Sequence, residues 1–153
     1  MATITSTPTA TSLTISGNSS VSGTISWSVP NIPEGSTVVS CVLTGTSNVN
    51  MSKGSCSVTV NGSTVESGAS FTIDLGTSNT TTSVTTTGKG NNKNAGGSVT
   101  FTNLLYTVTY QEPSVSVGIF NLKSGQSTIT DVRVGETKII RVYVGDTIIF
   151  ENV

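Results

Sequence analysis

The chain contains no histidine, and only 10% of its 153 residues are charged. Without histidine, the Ser–His–Asp and Cys–His arrangements of nucleophilic catalysis lack their general base. Two cysteines alone are too few sulfur ligands for a structural zinc site. The seven Lys and Arg residues are scattered along a chain of net charge −1, which argues against nucleic acid as a partner. We therefore predict no enzyme activity, no metal and no cofactor.

Long apolar runs are also missing, so the sequence predicts no membrane-spanning helix. The first six residues, Met-Ala-Thr-Ile-Thr-Ser, have neither the basic nor the apolar region of a secretory signal. We expect a protein that is made and kept in a cytoplasm, or released from it by lysis, and that has no membrane partner.

The only two cysteines, Cys41 and Cys56, are each predicted to share a strand face with apolar residues. Val39 and Leu43 accompany Cys41 on its face. On neighbouring strands the two sulfurs could lie opposite one another. Because a cytoplasm keeps thiols reduced, we expect two buried free thiols instead.

Threonine, serine, glycine and asparagine take the place of the missing charged and apolar residues. Threonine and valine favour strands, whereas glycine, asparagine and serine favour turns. Short strands alternate with such turns, and Asn61-Gly62 is a strong signal for a tight hairpin. The predicted strands are Ser12–Ser16, Ser22–Val29, Thr37–Gly45, Ser55–Val60, Thr64–Glu66, Ser70–Leu75, Ser83–Thr87, Ser98–Thr102 and Leu104–Gln111. The pattern predicts an all-β fold, an antiparallel β-sandwich.

Strict alternation in the last of these strands places Leu104, Tyr106, Val108 and Tyr110 on one face. Similar alternation predicts core positions for Trp27, Phe71, Phe101, Tyr106 and Tyr110. Asp74 lies between Ile73 and Leu75, so we expect its carboxylate to face solvent.

Charge density divides the chain near Glu112-Pro113. Residues 1–112 contain seven charged side chains, and the remaining 41 residues contain eight. Proline after a strand end is a natural stop. We predict a sandwich over residues 1–112 and a second, small module over residues 113–153.

The second module repeats one phrase, because Val134-Gly-Glu-Thr-Lys-Ile-Ile and Val144-Gly-Asp-Thr-Ile-Ile-Phe stand ten residues apart. Each Gly-acidic pair is typical of a hairpin turn. The repeat predicts a three-stranded β-meander over residues 129–134, 137–144 and 147–152. So small a sheet cannot bury apolar groups on both faces, so we expect it to be an anchor or an oligomer contact. The candidate contact residues are Ile139, Ile140, Tyr143, Ile148, Ile149 and Phe150.

A polar run, Gly88-Lys-Gly-Asn-Asn-Lys-Asn-Ala-Gly-Gly97, precedes the alternating strand and predicts a long, mobile hairpin loop. A strand follows it rather than a helix, which argues against a phosphate-binding loop. Asn91, Asn92, Lys93 and Asn94 carry donors and acceptors that suit sugar hydroxyls, so they form a candidate ligand loop.

Two stretches carry a family resemblance. "GKGNNKN…GSVTFTNLLYTVTY" resembles the closing strands of small jelly-roll β-sandwiches in structural proteins of tailed bacteriophages. "KIIRVYVGDTIIFE" is similar to a terminal motif of phage tail, fibre and collar proteins. The resemblance implies a jelly-roll or Ig-like sandwich, and it implies a place in the virion.

On this basis we expect a non-enzymatic virion structural protein, a capsid decoration or head-fibre protein that docks on the particle. Its partners would be other virion proteins and further copies of itself. The alternative is a tail-associated module that binds a host surface glycan. The sequence does not separate a capsid position from a tail position, since fold does not fix function.

Overall fold

The structure, a computed structural model, describes residues 1–113 in full and, beyond them, the backbone of residues 132–134, 137–139, 141–144 and 147–151. The chain divides into two compact units, Met1–Pro113 and Ser114–Val153. The first unit contains ten strands: β1 (Ala2–Ser6), β2 (Thr9–Ala10), β3 (Leu13–Ser16), β4 (Ser20–Ser26), β5 (Thr37–Lys53), β6 (Cys56–Val60), β7 (Ser63–Val65), β8 (Ser70–Asp74), β9 (Ser83–Gly90) and β10 (Gly96–Gln111).

These strands form two antiparallel five-stranded sheets. The first sheet has the order β1-β10-β5-β8. Strand β3 also pairs with β10, on the same edge as β1, but with residues 96–99, whereas β1 pairs with residues 106–110. The second sheet has the order β2-β4-β9-β6-β7. Apolar residues from both sheets form a common core, which confirms the predicted all-β sandwich.

The strand pairs of the first unit are nested along the chain. The innermost pair is β6 with β7, which is enclosed by β5 with β8, then β4 with β9, and finally β3 with β10. The inner pair turns at Asn61 and Gly62, whose φ angles are 50° and 79°. Positive φ at both turn residues is the geometry that Asn-Gly favours, so this predicted hairpin is confirmed.

Strand β10 contains a bulge that the sequence prediction divided into two strands. Asn103 has a φ of 52°. Residues 103 and 104 together lie opposite the single residue Gly45 of β5, because Thr102 pairs with Thr46 and Leu105 pairs with Thr44. The extra residue reverses the alternation, so Phe101 and Tyr106 both face the core. Leu104 reaches over Gly45, where an added Cβ would lie 2.6 Å from the Leu104 Cδ2 atom.

A second bulge corrects the prediction for Val39. Ser40 pairs with Thr109 and Val38 pairs with Tyr110, which leaves Val39 as the extra residue of β5. Val39 is 37% exposed, although the predicted alternation placed it inward with Cys41. Cys41 and Leu43 lie beyond the bulge and are fully buried.

The predicted core aromatics are confirmed. Trp27, Phe71, Phe101, Tyr106 and Tyr110 are all buried. Trp27 stacks on Tyr106 with ring centroids 4.7 Å apart, and Phe71 meets Phe101 edge to face at 6.3 Å. Both arrangements are favourable for aromatic pairs, and together they occupy much of the core between the sheets.

Both cysteines are free thiols. Cys41 is buried in the first sheet, whereas Cys56 is only partly buried in the second. Since their strands belong to different sheets, the arrangement on neighbouring paired strands does not occur. Burial raises the pKa of the Cys56 thiol above its ordinary value.

The described strands of the second unit pair as two hairpins; residue 140, in the predicted middle strand, lies outside the described residues, so the three-stranded meander stays a prediction. Strand β11 (Val132–Val134) pairs with β12 (Thr137–Ile139), and β13 (Arg141–Val144) pairs with β14 (Thr147–Glu151).

Thr86 offers a test of the core packing. Its side chain is fully buried, and its Oγ1 has no hydrogen-bond partner among the described residues. We expect Thr86→Val to raise the free energy of unfolding by about 1 kcal/mol, because the change removes an unsatisfied buried hydroxyl with little change of shape. Urea unfolding measures the effect. The matched change at its exposed neighbour, Thr85→Val, should leave stability within about 0.5 kcal/mol.

The burial of Tyr106 predicts that the free energy of unfolding falls at alkaline pH. Its buried hydroxyl donates to Asn79 Oδ1 at 2.9 Å, and burial raises its pKa well above the ordinary 10.0. Above pH 10 the unfolded chain therefore ionises this group while the folded chain keeps it neutral, and the stability present at lower pH is lost. We expect the stability difference between the native protein and Tyr106→Phe to shrink between pH 8 and pH 11, by at most about 1.4 kcal/mol per pH unit. A difference that stays constant in urea unfolding over this range would contradict the assignment.

Candidate functional site

Three turns meet at one end of the sandwich, which we call the tip: residues 17–19, 54–55 and 91–95. They connect β3 to β4, β5 to β6 and β9 to β10. Gly17 and Gly54 have φ angles of 73° and 68°, a conformation that glycine adopts without strain. Gly96, the first residue of β10, pairs with Ser16, the last residue of β3, and with Lys53, the last residue of β5. Because all three strands of the first sheet end at these residues, the three turns lie side by side.

The predicted ten-residue loop is shorter than the sequence suggests, which corrects the boundaries 88–97. Gly88 and Gly90 belong to β9 and pair with β6, while Gly96 and Gly97 belong to β10. These glycines allow close packing. A Cβ at Gly88 would lie 2.6 Å from the Ile15 Cδ1 atom, and one at Gly90 would overlap the carbonyl oxygen of Gly17. Only residues 91–95 form the turn.

Hydrogen bonds hold the turn in one conformation. Asn91 Oδ1 accepts from the backbone N–H of Ser55 at 3.1 Å and from Asn92 Nδ2 at 2.8 Å. The N–H of Asn91 donates to the Ser55 carbonyl at 3.0 Å, and the N–H of Asn94 donates to Asn92 Oδ1 at 2.8 Å. The N–H of Gly17 completes the set by donating to the carbonyl of Ala95, a buried residue, at 2.8 Å. The tip is therefore a connected network of three turns.

The predicted ligand residues separate into two kinds. All four are exposed. Asn91 and Asn92 use their side-chain oxygens inside the network, whereas the side chains of Lys93 and Asn94 make no hydrogen bond to residues 1–113. Because the Asn91 oxygen is occupied, its Nδ2 group is the end of the amide that is left to donate elsewhere.

A groove of about 510 Å³ lies beside this network. Its lining residues come from all three turns and from the adjacent ends of β6 and β9: Asn18, Ser55, Cys56, Ser57, Lys89, Gly90 and Asn91. No carboxylate is among them. Lys89 stands on the outer face of the second sheet between Ser20 and Ser57, its partners in the two neighbouring strands.

The sequence prediction missed Asn18, Ser57 and Lys89 as neighbours of Asn91. Gly17-Asn18 is a turn signal, but only the pairing of β4 and β6 with β9 brings these residues together. No local pattern in the sequence states that pairing.

Charge in the first unit is distributed unevenly. Its three lysines, Lys53, Lys89 and Lys93, all lie at the tip or at the strand ends that border it. Of its four carboxylates, Glu112 follows Gln111, which pairs with Thr37 at the opposite end, Glu34 precedes Thr37 by three residues, and Asp74 pairs with Val42. The fourth, Glu66, lines a groove that also includes Gly54, Ser55 and Ser57. Asp74 is exposed as predicted, and its Oδ1 accepts from the N–H of Gly76 at 2.8 Å.

A second groove, of about 390 Å³, has a more apolar lining. It lies between the end of β5 and strands β6 and β7, and it includes Val49, Met51, Val58 and Val65. No group of three or more His, Cys, Asp or Glu residues that could hold a metal is present in the described part of the chain. Nor do the described residues include a helix long and apolar enough to cross a membrane.

The predicted anchor residues lie in the second unit. Ile139 ends β12, Tyr143 belongs to β13, and Ile148, Ile149 and Phe150 belong to β14. Phe150 pairs with Val142 and Ile148 with Tyr143, so Ile149 is the extra residue of a bulge. The side chains of these residues, and the whole of Ile140, lie outside the described residues.

Comparisons with known proteins identify no relative, because no family model, curated protein or solved structure matches the chain.

The packing of the tip yields a test. We expect Gly90→Ala to lower the free energy of unfolding by about 1–3 kcal/mol, because the new methyl group meets the Gly17 backbone and the Ala95 side chain. Thermal or urea unfolding measures the loss. Gly96→Ala is the matched control, since a Cβ there would meet only the Ser52 Oγ atom, at 3.6 Å. Equal effects of the two changes would show that close approach at Gly90 is not the cause.

Proposed function

We propose that this chain is a non-enzymatic structural protein of a tailed bacteriophage particle, a capsid decoration or head-fibre protein. The nested strand pairing is the observation that carries the proposal. Numbered from β3, it joins the first strand to the eighth, the second to the seventh, the third to the sixth and the fourth to the fifth. We take this to be the order of a jelly roll, an architecture used in viral capsid proteins. It agrees with the resemblance of residues 88–110 to phage sandwiches.

The outer faces of the sheets support a role in docking. Outward positions of the second sheet are hydroxyl residues apart from Lys89: Thr9, Ser20, Ser22, Thr24, Ser26, Ser57, Thr59, Thr64, Ser83, Thr85 and Thr87. Such a face is uncharged and favours strands, so it combines solubility with close packing against a protein neighbour.

In this proposal the second unit is the anchor. Its described strands pair two by two, and an isolated hairpin is marginally stable in water. Its repeated Ile-Ile pairs give the sequence apolar residues at successive positions, more than so small a sheet is expected to bury alone. Contacts with other virion proteins, or with further copies of this chain, would cover them.

Immunogold labelling of intact, purified particles tests the proposal. Label over the head is the expected result. Label confined to the tail tip would favour the receptor-binding alternative, and particles that bind no antibody, intact or permeabilised, would overturn the virion assignment.

Removal of residues 113–153 tests the anchor. We expect the remaining sandwich to fold but to be missing from particles, because its own core is retained while the proposed contact is lost. Quantitative mass spectrometry of particles, with circular dichroism of the truncated protein as the folding control, measures both. Normal incorporation would assign the anchor to the sandwich.

A further inference from the structure

We propose that the groove at the tip binds an acidic saccharide, one whose acid group is a carboxylate or a phosphate. This inference sharpens the glycan-binding alternative, and it holds wherever in a particle the chain resides. It depends on the groove lined by Asn18, Ser55, Ser57, Lys89 and Asn91.

The groove presents more donors than acceptors. Lys89 supplies an ammonium group with three donors and no acceptor. Asn91 has its oxygen bonded to the N–H of Ser55 and to Asn92, so its NH₂ group is the end that is left to donate. With no carboxylate in the lining, the charge facing a ligand is positive. An anion satisfies such a set better than a neutral sugar, since hydrogen bonds to charged acceptors are the stronger ones.

The donor at Asn91 is held in place before any ligand arrives. Two bonds to its oxygen fix the plane of the amide, and the backbone bond from Asn91 to Ser55 fixes the position of the residue. A group that is already ordered loses little further freedom on binding. The network thus gives a short turn the rigidity that recognition of a small ligand requires.

The surface next to the groove explains why the ligand is a saccharide. Two residues before Lys89 in β9, Thr87 pairs with Ser22 of β4 and with Thr59 of β6. These three residues form one row on the outer face of the second sheet. Neighbouring strands lie about 4.8 Å apart, so these hydroxyls form a flat polar track that can donate to and accept from sugar hydroxyls. A nucleic acid would need base-stacking aromatics and several arginines, whereas residues 1–113 contain no arginine and their aromatic residues Trp27, Phe71, Phe101, Tyr106 and Tyr110 are buried.

The test uses the full-length chain and pairs of matched sugars in low salt. The probes are trigalacturonate with its methyl ester, and phosphorylated maltotriose with maltotriose. We expect calorimetry or NMR titration to show binding of at least one acid form. The matching neutral sugar should bind at least about fivefold more weakly. Preference for one acid form identifies the acid group. Equal binding of acid and neutral forms, no binding of either acid, or tighter binding of single-stranded oligonucleotide would each overturn the proposal.

Variants locate the site. Lys89→Gln should weaken binding of the acid form about fivefold. Asn91→Asp keeps the oxygen that accepts from Ser55 but replaces the free donor by a negative charge, so it should weaken binding tenfold or more, by about 1.4 kcal/mol. Asn50→Asp adds the same charge on the outer face of the first sheet and is the matched control, expected within about twofold of the native protein. If Asn91→Asp does not fold, Lys89→Gln alone decides. Loss in the control equal to that in Lys89→Gln would exclude the groove.

These outcomes are independent of particle labelling. A virion protein that binds no acidic sugar fails only this inference, and a sugar-binding chain that is absent from particles fails only the virion proposal.

Discussion

The pairing of β5 with β10 is the constraint on which the rest of the sandwich depends. The two strands run antiparallel from Lys53 and Gly96 at the tip to Thr37 and Gln111 at the opposite end. Three register shifts interrupt the pairing, at Val39 and Ser52 in β5 and at Asn103 in β10. Without the bulge in β10, the residues on one side of it would turn to the solvent face, because a shift of one residue reverses every later side chain. The stacked Trp27 and Tyr106 and the pair of Phe71 with Phe101 both require this adjustment.

Local chemistry made much of the fold predictable from the sequence. Alternation identified the strands, Asn61-Gly62 identified a hairpin, and the five aromatics of the first unit were placed in the core. The errors arise where a tertiary contact overrides the local pattern. Gly88 and Gly90 have the composition of a loop, but β4 and β6 flank them and Ile15 and Gly17 leave no room for a side chain. Strand β1 was missed because Ala2–Ser6 has one strong apolar residue, Ile4, and depends on pairing with residues 106–110 of β10.

The candidate site was predictable only in part, for a related reason. Asn91 to Asn94 stand out in the sequence because four polar residues occur together. Their roles differ because backbone groups of Ser55, which is distant in sequence, take up the Asn91 oxygen and N–H. Asn18 and Lys89 join the groove through sheet pairing alone. The polar composition of the sequence therefore predicts the turn, but it does not predict the groove.

Net charge is a poor guide to this surface. The chain as a whole is nearly neutral, and on that ground the sequence argues against nucleic acid as a partner. In the first unit, however, lysines gather at the tip while Glu34 and Glu112 lie at the other end of β10. Sixteen residues of extended strand span about 50 Å, whereas charges in physiological salt are screened beyond about 8 Å. Glu34 and Glu112 at that distance cannot neutralise Lys89. The charge that a ligand in the groove meets is therefore set by the tip and by Glu66 in the neighbouring groove, not by the average charge of the chain.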